Sequence, residues 1–201
     1  MNNSHSKPAS VRPRKAPSQP RSTQTVEAIL TAAAHILERH GLEGYTTNAI
    51  AAKAGVSIGS LYQYFPTKDA VTVALIDRER AGVVDEATQA LTQTDRDAAL
   101  RQLIEVAVRH QLRRPALAAL LDFEQQRLSA ILPPSGNRQT MRAALVEFLS
   151  RYESPELVAE DLMELISALT DAAGRRGGVD PAQLVERISG AVRGYLESLP
   201  R

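Results

Sequence analysis

Between Glu43 and Asp69 the chain carries no acidic residue, although it holds 23 aspartates and glutamates in all. The same stretch carries Tyr45, Tyr62, Tyr64 and Phe65, half of the aromatic complement of 5 Tyr and 3 Phe. Thr46, Thr47, Ser57 and Ser60 add hydroxyls. A surface rich in hydroxyls and free of carboxylates tolerates phosphate, because nothing on it repels the anion. On a helical wheel at about 100° per residue, Ile58, Leu61 and Phe65 gather on one side, which is expected to face a core. Gly59, Ser60 and Gln63 point the other way, with Tyr62 and Tyr64 on the flanks. A helix entering a major groove needs small residues for close approach and amides or hydroxyls for base edges. Tyrosine hydroxyls and Lys68 can reach phosphates, which position a protein rather than specify sequence.

A competing reading uses the same residues. Gly55-Val56-Ser57-Ile58-Gly59 matches G-x-S-x-G, the nucleophile elbow of serine hydrolases. That motif needs a strand before the serine, and Ile50-Ala51-Ala52-Lys53-Ala54 reads as helix. Ser57 is therefore expected to cap a helix, and the chain is not expected to be an enzyme.

The elements that would hold these residues are helical throughout. Val26, Ile29, Leu30, Ala33, Ile36 and Leu37 share one face of a helix over about 23–40, ended by Gly41. Thr46 and Thr47 can cap a short helix burying Ile50, Ala51 and Ala54, which Gly55 ends. A third helix follows and closes at Pro66, so 46–65 reads as a helix-turn-helix. Thr67 caps a helix to about residue 91, and Asp95 or Thr94 starts the next, broken at Arg113-Arg114-Pro115. Further helices span 116–132, 138–152, 155–173 and 181–199, the last two opened by Ser154-Pro155 and Asp180-Pro181. Arg175 and Arg176 followed by Gly177 and Gly178 suggest ordinary C-terminal capping before a phosphate site. The result is an all-α protein of eight or nine helices.

Composition agrees. The 201 residues include no Cys and no Trp, which excludes disulfides, thiolate metal sites and a cysteine nucleophile. Four histidines (His5, His35, His40, His110) leave little for a metal centre, and no metal or cofactor is expected. No apolar run reaches the ~18 residues a membrane span requires, which with the absence of a secretory leader points to the cytoplasm. The net charge of +1 hides an asymmetry: Lys7, Arg12, Arg14, Lys15 and Arg21 precede the first acid, Glu27. Residues 1–21, with four prolines, read as a disordered basic arm, either a DNA-following tail or an idle one.

Residues 22–70 resemble the DNA-binding domain of TetR-type transcriptional regulators (TetR/AcrR). The resemblance rests on Ile29-Leu30-x-Ala32-Ala33, Gly41-Leu42, Thr46-Thr47-x-x-Ile50-Ala51-x-x-Ala54-Gly55-Val56-Ser57 and Gly59-Ser60-Leu61-Tyr62-x-Tyr64-Phe65-x-x-Lys68. It implies an N-terminal three-helix helix-turn-helix domain (22–68) followed by a helical effector-binding and dimerisation domain (69–201). It implies double-stranded DNA with a palindromic operator as partner. Thr47, Tyr62, Tyr64 and Lys68 would lie at phosphates, Ile58, Gly59, Ser60 and Gln63 near bases, and Thr46 is counted with them among the DNA-binding residues. Isoleucine at position 58 departs from the polar residue often found there and can touch only a thymine methyl. The resemblance further implies a homodimer through the last two helices, with Val158, Leu162, Leu165, Ile166, Leu169, Leu184, Ile188, Val192 and Tyr195 as the expected interface. Those stripes could equally complete a monomer core. A small-molecule effector of unknown identity is implied, with His110, Phe123, Met141 and Phe148 as candidate pocket residues that also fit a plain core. The function expected is a repressor released by an effector. The alternatives are an effector-free DNA-binding protein controlled by a protein partner and, more distantly, the serine hydrolase.

Overall fold

A computed structural model describes residues 20–129 and 135–200, and of Pro20 and Arg21 only the backbone. The basic arm expected over 1–21 otherwise lies outside them. Among the described residues there are nine helices and no strand: α1 (Pro20–Gly44), α2 (Thr47–Ala54), α3 (Ile58–Tyr64), α4 (Lys68–Ala90), α5 (Arg96–Arg113), α6 (Pro115–Ser129), α7 (Gly136–Phe148), α8 (Pro155–Arg176) and α9 (Pro181–Glu197).

Most ends obey the capping chemistry legible in the sequence. Gly41 takes a left-handed φ of 60° and breaks the regular helix inside α1. Thr67 Oγ1 accepts from the Ala70 amide at 3.0 Å, and Asp95 Oδ1 accepts from Asp97 and Ala98 at the start of α5. Asp180 does the same for Ala182 at 2.9 Å in α9. Ser154 stands at the N-cap of α8 but its side chain makes no capping bond, so Pro155 alone marks that start. Helix α7 ends at Phe148 rather than at 152. There the Leu149 amide reaches Leu145 O at 2.8 Å and the Tyr152 amide turns back to Leu149 O at 3.0 Å, closing a turn that buries both side chains.

The chain divides into two compact units. The first comprises residues 20–76 and 120–129 of those described; the second comprises 77–119 and 135–200. In the first unit α1 packs on α2 and α2 on α3, around Ile29, Leu37, Tyr45, Ile50, Leu61 and Phe65, each at most 1% exposed. The second unit buries one core from α4, α5, α7, α8 and α9, including Ile104, Leu145, Leu149, Leu162 and Ile188.

Six of the nine residues expected at a dimer interface lie inside this core. Val158, Leu162, Ile166, Leu184, Ile188 and Val192 are all buried in the chain's own core, because α8 and α9 turn their strongest apolar stripes onto α5 and α7. Leu165, Leu169 and Tyr195 are only partly covered. Phe148 is likewise core, and Met141 packs on its edge. Phe123 is 56% exposed and belongs to no core. His110 is half-buried on α5.

Candidate nucleic-acid interface

The turn between α2 and α3 is fixed by backbone chemistry. Gly55 adopts φ 68°, ψ 28°, its amide reaching Ala52 O at 3.3 Å while the Val56 amide reaches Ala51 O at 3.1 Å. This pair of bonds is the Schellman arrangement, which favours a residue without Cβ at the left-handed position. Two residues later Ser57 caps α3, its Oγ accepting from the Ser60 amide at 3.0 Å and lying 2.8 Å from Ser60 Oγ. A helix and a left-handed glycine precede Ser57, not a strand, so the nucleophile-elbow reading fails on geometry. Thr46 caps α2 through its Oγ1, 3.2 Å from the Ala49 amide.

Leu61 and Phe65 pin α3 to the core, but Ile58 does not join them; it is 39% exposed. Ile58 is the first residue of a two-turn helix, and the chain enters there from the exposed turn residues Gly55 and Ser57. The wheel's core assignment for Ile58 is therefore wrong, and its side chain stands with the exposed Gly59, Tyr62 and Gln63 on an uncharged face. Ser60 and Tyr64 are half-buried at its edges. At Gly59 an added Cβ would meet only Ser57 Oγ, at 3.8 Å, so the glycine keeps this face slender without being required by the fold. Tyr62 OH and Thr47 Oγ1 are 3.1 Å apart, joining the first turn of α2 to α3. That bond sets two exposed hydroxyls side by side.

Lys68 opens α4 as an exposed residue, with Nζ 5.7 Å from the centre of the Tyr45 ring. Tyr45 itself is buried, its hydroxyl accepting from Thr72 Oγ1 at 3.3 Å. Burial pushes its phenol up to about 12, with Glu124 and Asp69 pushing the same way against the Thr72 hydrogen bond. Glu124, only 5% exposed, accepts from Arg127 at 2.7 Å, and Arg127 also reaches Asp69 at 2.5 Å. The hydrogen bonds to Glu124 and then Asp69 raise the Arg127 guanidinium above its usual range. The end of α6 is thus tied to the first turn of α4, immediately beside Lys68. Nothing local in the sequence signals this tie, because Asp69 and Arg127 are 58 residues apart. Elsewhere in the unit, His35 is held below its ordinary value, chiefly by the Lys53 ammonium, with burial and Arg39 adding to the effect.

Residues 29–75 match the family described as bacterial regulatory proteins, tetR family. Over 111 residues the chain is 32% identical to the nucleoid occlusion factor SlmA of Pasteurella multocida, covering 52% of this chain and 56% of that protein. Over 59 residues it is 36% identical to the HTH-type transcriptional repressor DrrR1 of Streptomyces coeruleorubidus, covering 29% of this chain and 22% of that one. The chain thus spans about half or less of these curated relatives. In fold it is similar to a TetR-family transcriptional regulator from Streptomyces coelicolor, at TM-score 0.69 and 23% identity, over 88% of this chain and 99% of that one.

Proposed function

We propose that this chain, a member of the tetR family of bacterial regulatory proteins through its residues 29–75, is a sequence-specific, homodimeric DNA-binding repressor of the cytoplasm. The observation that carries the reading is the α3 face. Ile58, Gly59, Tyr62 and Gln63 stand exposed and uncharged within a stretch devoid of carboxylates, and the Thr47–Tyr62 hydroxyl pair and Lys68 border it. Gly59 admits a close approach, Gln63 offers an amide to a base edge, Ile58 offers a methyl contact to thymine, and the hydroxyls meet phosphates. Two such helices about one DNA turn apart would read a palindrome.

The dimer face follows from what the core leaves over. On α8, Leu157 is 62% exposed and shares a helical face with Leu165, Ala168 and Ala172. On α9, Arg187, Gly190, Ala191, Gly194 and Ser198 form the exposed side. Tyr195 donates to Asp161 across the two helices, which sets these faces together. Small residues there let a two-fold mate approach closely, and an isologous four-helix contact results. Release by a small effector would act through α6, whose last turns are clamped to Asp69 in the DNA-reading unit; coupling of this kind is typically ~1–3 kcal/mol. The decisive experiment is selection of bound fragments from genomic DNA by the purified chain, followed by footprinting. A protected palindrome with half-sites one turn apart supports the reading. Recovery of no enriched sequence at low salt defeats it.

A further inference from the structure

The second unit holds a cavity of about 470 Å³ between the start of α5, the turn joining α7 to α8, and the C-terminal half of α9. Its apolar floor is Leu100, Ile104, Val192 and Leu196. Ser189, also in its lining, has a buried Oγ with no hydrogen-bond partner. A buried hydroxyl left unpaired costs about 1–3 kcal/mol, and native chains rarely keep one without reason.

The cationic side of the cavity includes the exposed Arg151. Arg151, in the lining, lies 5.2 Å over the Tyr152 ring and donates to Tyr152 OH at 3.1 Å. Beside it Arg96 stacks at 4.0 Å on the Phe148 ring and donates to Phe148 O, while its Nε is buried without a partner. Among the described residues neither guanidinium has a carboxylate partner. Arg101, Arg109, Arg138 and Arg142 of the same unit each do. Burial and the like charge of Arg151 pull the Arg96 guanidinium below its usual range. Asp97 and Glu197 also line the cavity but are solvent-exposed and pair with neither arginine. Arg151 and an orphan hydroxyl therefore border the apolar floor, with Arg96 outside the lining and its charge adding to that of Arg151.

We propose that this cavity binds a small organic carboxylate, its anionic group held by Arg151 and Ser189 and its compact apolar body laid on Leu100, Ile104, Val192 and Leu196. The carboxylate supplies the charge the arginines lack and an acceptor for the Ser189 hydroxyl, and the apolar floor excludes a bare inorganic anion as the preferred occupant. The site is independent of the DNA-reading face and stands whether or not occupancy alters DNA binding.

Isothermal titration calorimetry of the full chain tests it, with benzoate and hexanoate as probes and benzyl alcohol, benzylammonium and inorganic sulfate as controls. Both carboxylates should bind, at about 1 mM or tighter, and each control at least about tenfold more weakly. Arg151→Gln should weaken benzoate about tenfold and Ser189→Ala a few-fold, with helical circular dichroism unchanged. If Arg151→Gln misfolds, Arg151→Lys should retain most of the affinity and Ser189→Leu, which fills the hollow, should abolish it. No heat with either carboxylate overturns the site, and equal binding of benzyl alcohol or sulfate overturns the ligand class. Undiminished binding by both the Arg151→Gln and Ser189→Ala variants overturns the placement.

Discussion

Tyr62 and Gln63 are neighbours in sequence with different tasks. Tyr62 pairs with Thr47 and presents a hydroxyl at the border of the reading face, so Tyr62→Ala should weaken binding to every operator variant by a similar factor, about tenfold, in fluorescence-anisotropy titrations. Gln63→Ala should instead alter the ranking among single-base operator variants, each changed contact being worth about 1–3 kcal/mol. Tyr45 belongs to the interior. Its phenol titrates near 12 in the fold and near 10 when unfolded. The neutral form is favoured in the native state, so this contribution is complete below pH 10. It is lost as pH rises from 10 through 12, by roughly 2 kcal/mol. Tyr45→Phe should remove that part of the alkaline decline, read by chemical unfolding at pH 9 and pH 11.5. The uncharged face at 58–63 was legible because helical periodicity and the acid-free stretch are both local. Ile58 was misread because a wheel treats the first residue of a helix as if it were in the middle.

At the level of elements, punctuation decided what could be foreseen. Gly55, Ser57, Thr67, Asp95 and Asp180 act at the ends their chemistry predicts, since a cap involves only three or four consecutive residues. Gly55→Ala should cost about 1 kcal/mol in thermal unfolding, because no neighbour blocks a Cβ and only the left-handed backbone resists it. Gly55→Asn should cost less. The clamp between α4 and α6 was not legible, since its partners meet only in the fold. Arg127→Ala leaves Glu124 buried and unpaired and should destabilise by about 2 kcal/mol. Adding Glu124→Gln should recover part of that loss.

For the whole molecule, α8 and α9 show why an apolar stripe does not announce its partner. Burial against the same chain and burial against a second copy select the same residues, and only the assembled core separates them. Leu162 and Val192 went to the interior; Leu162→Ala should therefore cost about 2–5 kcal/mol of fold stability. Ala168→Glu with Gly194→Glu places charge on the outward face. The pair should give a folded monomer by sedimentation, with operator affinity falling as the two reading heads part. Retention of a dimer by that variant would move the interface elsewhere.

The last turns of α6 belong with α1–α3 although more than forty residues of chain intervene. A reading head cut out at residue 76 would lack Leu121, Leu128 and the Arg127 clamp, and would lose much of what steadies its fourth helix. Specificity swaps between such regulators should therefore be spliced at two seams rather than one. A hybrid receiving a foreign head must receive that head's own α6 tail, or an arginine and the aspartate it grips will be separated in the graft.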